Sequence, residues 1–287
     1  MKVRSPLFAP GDSERKMSKA IGSAADAVIL DLEDSVAAPA KPTARQMVPE
    51  VVRAHPGRAL IVRINPRDTP WYFKDLAAVV PARPMAVMLP KCSGPDDLGT
   101  LNHHLEALEA ATDAPIGSIG VVAVVTETAP SVFTLGTYAN VSSRLMAICF
   151  GAEDLSADLG ISPRHPDASY PAPVVLARAQ VLVAAGALRV PAIDTPYPDY
   201  SDPVGLRREA EAAAQDGFAG KILIHPAQID IVNAAFTPSP ERVRWAERVD
   251  AAFAANPDSG VFALDGKMID RPHWKLAQRI LATAGVG

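Results

Sequence analysis

The 287-residue chain has only two cysteines, Cys92 and Cys149. Both lie in or beside apolar runs, where a thiol behaves as a small buried hydrophobe. A disulfide framework is therefore not the expected source of stability, and a reducing cytoplasm is the expected compartment. Aromatic residues are scarce at 6% against 48% hydrophobic residues in total, so the core has to be aliphatic. Neither sign of charge dominates: the net charge is -4 with acids and bases interspersed, which gives no electrostatic footprint for nucleic acid or an anionic membrane. No apolar run approaches the roughly 20 residues that span a bilayer, and the stretch from Met1 to Lys16 has no apolar signal core. These absences leave small-molecule chemistry as the expectation.

What is present is a repeat: a short apolar run, a polar residue, a turn, then a helical stretch rich in alanine and charge. The apolar runs are Val3 to Ala9, Ala27 to Leu30, Ala59 to Val62, Met85 to Leu89, Ile119 to Val125, Leu145 to Phe150, Val190 to Ile193 and Ile222 to Ile224. From the second onward they end at Asp31, Arg63, Lys91, Glu127, Asp154, Asp194 and His225, a spacing of about 30 residues that matches a strand plus its crossover helix. Helices are expected over Ser13 to Ile21, Asp96 to Ala111, Val174 to Leu188 and Pro203 to Gln215. Eight such units closing on themselves give a (β/α)8 TIM barrel over residues 1–236, with its active site at the C-terminal strand ends. An open doubly wound sheet is the alternative, but it calls for a glycine-rich turn after the first strand where this chain has only Pro10-Gly11-Asp12. Residues 237–287 fall outside the repeat: a helix over Pro238 to Asn256, a break at Pro257 to Gly260, a strand or irregular arm over Val261 to Asp270, and a helix over Pro272 to Ala284. This C-terminal helical arm either caps the barrel or packs on a neighbouring subunit.

Glu127 and Asp154 follow adjacent strands too apolar to tolerate a carboxylate that is not paired or coordinated. Two such oxygens suit a hard divalent cation, Mg²⁺ better than Zn²⁺, with positions left for water and substrate. Helix capping is the alternative for each. Asp31, Glu33 and Asp34 bring three acids to the second strand end, where they support a metal site or remain loop charge. Arg63 is suited to a carboxylate or a developing oxyanion, and equally to an ion pair with Asp31 or Glu33. Lys91 reads as an ion-pair partner of these acids before a Schiff-base or general-acid lysine, and His225 as a packing histidine or a catalyst. His103 and His104 are adjacent on a helix and do not face each other. Arg15, Lys16 and Lys19, with Arg4 before the first strand, form a basic cluster that binds phosphate or is solvated surface.

The succession Arg4 to Phe8 with Pro10-Gly11, then DLEDSV (Asp31 to Val36), VRIN (Val62 to Asn65), LPK (Leu89 to Lys91), Glu127-Thr128, GAEDL (Gly151 to Leu155), IDTP (Ile193 to Pro196), Gly220-Lys221 with Ile224 to Pro226, and DGKMID (Asp265 to Asp270) covers nearly the whole chain in order. It resembles the citrate lyase beta-subunit-like proteins, which stand with the malyl-CoA and citramalyl-CoA lyases. The resemblance implies a Mg²⁺-dependent barrel acting on acyl-CoA esters and 2-oxo acids, assembled as a homotrimer or hexamer. It implies Glu127 and Asp154 as metal ligands, with Glu153 supporting or capping beside them. Arg63 would hold the oxyanion or 2-oxo acid among Asp31 and Glu33. Asp270 would be the acid/base at an adjacent subunit's mouth, and Arg4, Arg15 and Lys16 would lie near the CoA phosphates. The expected reaction is Claisen-type cleavage to an acetyl-CoA enolate and a 2-oxo acid. Thioester hydrolysis, a beta subunit dependent on an acyl-carrier partner, and a phosphotransferase lacking its nucleotide element are the alternatives.

Overall fold

In the computed structural model, residues 3–256 and 260–285 are described. The break expected at Pro257 to Gly260 lies outside them, but for Gly260. Eight parallel strands, β1 (Pro6–Pro10), β2 (Ala27–Asp31), β3 (Leu60–Arg63), β4 (Ala86–Leu89), β5 (Gly120–Val124), β6 (Leu145–Cys149), β7 (Ala192–Asp194) and β8 (Gly220–Lys221), pair in chain order. The ring is closed by backbone bonds from Lys221 N to Arg4 O (2.9 Å), Leu223 N to Pro6 O (2.8 Å) and Phe8 N to Leu223 O (2.8 Å). Gly220 permits that closure, because a Cβ there would stand 1.9 Å from the Val3 carbonyl oxygen. The expected (β/α)8 architecture is therefore the observed one.

Helices α1 (Glu14–Ile21), α2 (Lys41–Ala54), α3 (Tyr72–Val79), α4 (Pro95–Ala111), α5 (Ala129–Val132), α6 (Ala152–Asp158), α7 (Ala172–Leu188) and α8 (Pro203–Asp216) fill the crossovers. Ser13 begins α1 by accepting from Lys16 N, and Asp202 begins α8 by accepting from Gly205 N. One strand differs from its expectation. The ladder of β8 covers Gly220–Lys221 rather than Ile222 to Ile224, because beyond Lys221 the chain divides its bonds between the last residue of β7 and β1.

The strands are buried on both faces, which is why they read as unbroken apolar runs. One face fills the barrel: Ala27 and Ile29, Ile61, Ala86 and Met88, Val122 and Val124, Ala147 and Cys149, Ile193 and Ile222 form a single aliphatic cluster. The other meets the helices. Alternation along β2 and β3 then carries Asp31 and Arg63 into the inward-facing series, two residues above Ile29 and Ile61. A register shift between Val121 and Val122 leaves Met146 unpaired in β6. This bulge sets the register in which Ala147 and Cys149 join the interior.

The compact unit runs from Val3 to Asn233, and a second begins at Ala234. Helix α9 (Ile229–Ala235) precedes α10 (Pro240–Ala255), a hairpin of β9 (Val261–Leu264) and β10 (Lys267–Asp270), and α11 (Arg271–Ala284). Phe253 stacks on Trp274 at 5.2 Å and meets the edge of Phe262 at 4.8 Å, within a core of Ala246, Val249, Ile269, Ala277 and Ile280. No helix among the described residues is long and apolar enough to cross a membrane.

Candidate active site

At the C-terminal end of the barrel, Asp31 and Arg63 are register partners on neighbouring strands. Their side chains meet in a two-pronged pair, Nε to Oδ1 and Nη2 to Oδ2, both 2.7 Å. Asp31 also accepts from the backbone of Glu33 (2.9 Å) and Ser35 (3.0 Å), which folds the DLEDS turn over its own carboxylate. Burial pushes the Asp31 carboxyl up, but the Arg63 hydrogen bonds and charge outweigh it and hold the group below the usual carboxylate range. Arg63 lies over the Phe8 ring at 4.3 Å. Its guanidinium is thus fixed on one edge and one face.

Glu33 follows. Its Oε1 accepts from Lys91 Nζ at 2.6 Å, whereas Oε2 lies 3.0 Å from Arg63 Nη1 but off the N–H directions, so this buried oxygen accepts no hydrogen bond. Burial raises the Glu33 pKa despite both cations. The Lys91 ammonium also stands 3.4 Å from Asp34 and 3.4 Å from Asp154. Its backbone adopts φ 49°, a left-handed conformation uncommon for a residue with a side chain, and its N–H donates to Glu127 Oε2 at 2.5 Å.

Glu127 is buried, and Gly151 makes room for it: a Cβ there would come 2.7 Å from Glu127 Cγ. Burial, then the charge of Asp154, pushes the Glu127 carboxyl up to about 8. The Thr128 hydroxyl is buried without a partner. Asp158, at the end of α6, accepts from Ala129 N at 2.6 Å and so tethers the exit of β5.

The mouth therefore gathers the acids Asp31, Glu33, Asp34, Glu127 and Asp154 around the cations Arg63 and Lys91. That surplus of carboxylate, with an orphan oxygen on Glu33 and a disfavoured charge on Glu127, fits a divalent cation. Among the described residues no group of three or more His, Cys, Asp or Glu side chains has metal-holding geometry. Two carboxylates completed by water and substrate suit Mg²⁺, which keeps several waters and asks for few protein ligands.

Several sequence expectations change. Arg4, expected near the CoA phosphates, precedes β1 and so lies at the N-terminal end of the barrel, opposite the mouth. Its Nε and Nη2 are taken by Asp26 at 2.8 and 2.7 Å. Asp31, expected among the catalytic residues, has both oxygens committed to Arg63 and the backbone, which makes it the anchor of Arg63. Asp194 ends its strand facing outward, where Lys221 (2.9 Å) and Arg178 (3.3 Å) neutralise it. His225 caps the turn beginning at Pro226 by accepting from Ala227 N, and stacks on Tyr200. Arg15 and Lys16 are exposed on the first turn of α1, just past the C-terminal end of β1. Asp270 belongs to the second unit, where it caps α11 and lies 2.5 Å from His273 Nδ1. Lys91 pairs with these acids as its place after the buried run MAVMLP leads one to expect, whereas the Thr128 hydroxyl carries no signal in the sequence.

The family model described as HpcH/HpaI aldolase/citrate lyase matches residues 4–226. The citrate lyase subunit beta of Leuconostoc mesenteroides subsp. cremoris is 35% identical, over 98% of this chain and 93% of its own. The (3S)-malyl-CoA thioesterase of Cereibacter sphaeroides is 37% identical, over 98% of this chain and 94% of its own. The crystal structure of the protein CitE from Mycobacterium tuberculosis, in complex with magnesium, acetoacetate and coenzyme A, superposes with a TM-score of 0.79 at 36% identity, covering 98% of both chains. The resemblance drawn from the sequence motifs holds, and the chain belongs to the HpcH/HpaI aldolase/citrate lyase family.

Proposed function

We propose that this protein is a Mg²⁺-dependent carbon–carbon lyase. It cleaves, or in reverse forms, the CoA ester of a 3-hydroxy acid such as citryl-CoA, malyl-CoA or citramalyl-CoA, giving acetyl-CoA or a homologue and a 2-oxo acid. The observation that carries this reading is the meeting of Glu127 and Asp154 at Lys91, at the same barrel mouth as an arginine anchored by Asp31. It is supported by a neighbouring fold that holds magnesium, acetoacetate and coenzyme A.

Glu127 and Asp154 would hold the cation. When bound, it supplies Lewis-acid polarisation of substrate oxygens and a template for their orientation. Arg63, held by Asp31, offers its Nη1 edge to the carboxylate of the 2-oxo acid half and to charge building on oxygen. Glu33 and Lys91 keep that edge oriented. As the bond between the carbinol carbon and the ester α-carbon breaks, its electron pair passes to the thioester enolate and the carbinol oxygen becomes the oxo group, its proton passing to solvent water. Asp270 of an adjacent subunit would deliver the proton to the α-carbon, or remove it in the reverse direction. That role requires a homotrimer or hexamer. Arg15 and Lys16, exposed beyond β1, would meet the CoA phosphates.

Purified protein with Mg²⁺ is expected to release acetyl-CoA from at least one of malyl-CoA, citryl-CoA and citramalyl-CoA; inactivity on all three overturns the proposal. The 37% identical malyl-CoA thioesterase supports hydrolysis as a second reading, which yields free CoA and the intact hydroxy acid. The citrate lyase beta relative supports a third, in which turnover appears only with an acyl-carrier protein partner.

A further inference from the structure

Lys41, the first residue of α2, is buried, although a buried ammonium is costly unless all its donors are used. Here they are: Nζ donates to the Leu32 carbonyl (2.9 Å), the Glu33 carbonyl (2.9 Å) and Asn65 Oδ1 (2.7 Å). The Trp71 ring lies 4.8 Å from the same ammonium. The three acceptors belong to the exits of two neighbouring strands, immediately past Asp31 and Arg63. Asn65 closes the ring by donating Nδ2 to the Leu32 carbonyl at 2.8 Å and to Asp75 Oδ2 at 2.6 Å. Asp75 is in turn gripped by Arg45 Nε at 2.8 Å. The network thus runs from Arg45 through Asp75 and Asn65 to Lys41, and ends on the backbone of the turn that carries Glu33.

The side chain of Glu33 makes one hydrogen bond, to Lys91, while its Oε2 meets Arg63 Nη1 as an ion pair at 3.0 Å without a directed hydrogen bond, so the angle at which it meets the arginine is not set by that contact. Its place between Arg63 and Lys91 has to be set by the backbone beneath it. We infer that Lys41 is a positioning residue: by clamping the carbonyls of Leu32 and Glu33 to Asn65, it sets the height of Glu33 and thereby the orientation of Arg63 and Lys91 at the mouth. A lysine serves here because three convergent donors on one atom can join two loops, which an apolar side chain of equal volume cannot do. The turnover arm of the test rests on the lyase reading; the spectroscopic arm does not.

Lys41→Met is expected to lower kcat for the active CoA ester by about 10- to 100-fold, as loss of a supporting hydrogen-bond partner typically does, with KM moved less than about threefold. Added to Glu33→Gln, it should cost less than about threefold more, because both changes break one unit. In nuclear magnetic resonance the Arg63 Nε–H signal, held by Asp31, should shift and exchange faster in Lys41→Met. An unchanged kcat, fully multiplicative losses with Glu33→Gln, or an unmoved Arg63 signal overturns the inference. If the wild type cleaves none of the esters, the lyase reading fails and the Arg63 signal alone decides the positioning role. Should Lys41→Met not fold, Asn65→Ser removes one of the three acceptors and should give the same signature at smaller amplitude.

Discussion

The barrel contains two two-pronged Arg–Asp pairs, one at each end, and they differ in everything except their chemistry. At the N-terminal end, Arg4 grips Asp26 with Nε and Nη2, while Arg58 donates to the carbonyls of Ile21 and Ala25 nearby. Among the described residues there, the arginines are taken up by Asp26 and by backbone carbonyls. At the C-terminal end, Arg63 grips Asp31 with the same atoms, but Glu33, Asp34, Glu127 and Asp154 crowd the same mouth and outnumber the cations beside them. One carboxylate oxygen is orphaned, one carboxyl is forced up to about 8, and one lysine takes a left-handed backbone. The first pair holds strands together. The second is the fixed part of an arrangement completed from outside, and that contrast separates stability from function in a (β/α)8 barrel.

Removing the proposed cation ligand should break the contrast most strongly. Glu127→Gln is expected to abolish detectable Mg²⁺ binding by calorimetry and to cut turnover by about 10³-fold or more, the scale of a lost Lewis acid. Arg63→Lys should come next, with kcat down by about 10²-fold, because a lysine cannot hold Asp31 on two prongs and also face the substrate. Asp31→Asn should weaken the same group from the other side: it leaves Arg63 with Glu33 at 3.0 Å but without its two-pronged partner, at a cost of about 2 kcal/mol in unfolding experiments.

Acidity sharpens the comparison further. A carboxyl with a folded pKa of about 8 and an ordinary value of 4.5 favours the folded state while it is protonated. That contribution is complete below pH 4.5 and is lost as pH rises to 8. Metal-free protein should therefore lose stability across this window, and Glu127→Gln should flatten the loss in thermal melts. By the same argument Mg²⁺ should displace a proton on binding at pH 7, with affinity rising toward pH 8. The smallest effect belongs to the other end of the barrel: Arg4→Met should leave kcat within about twofold and lower the melting temperature by about 2–4 °C, the signature of one lost surface-edge pair.

Much of this was legible in the chain. Asp31, Arg63 and Asp194 end their strands, Lys91 and Glu127 follow theirs within three residues, and Arg63, Glu127, Asp154, Glu33 and Lys91 do converge. The errors share one cause. Arg4 and Arg15 both flank β1, yet they flank opposite ends of it. Asp194 and Asp31 end their strands in the same way, yet one faces the helices and the other the axis. Lys41 gave no signal at all, since a lysine at the start of a helix ordinarily reads as solvated charge.

By itself the sequence determined the repeat: eight apolar runs at a period of about 30 residues with polar residues at their ends, the pattern of successive βα units. Only the tertiary structure decided which polar residue faces which way. Strands buried on both faces are apolar on both faces, so their composition carries no inside or outside. That direction comes from closure between β1 and β8, from the bulge at Met146, and from the register pairing Asp31 with Arg63 above the aliphatic interior.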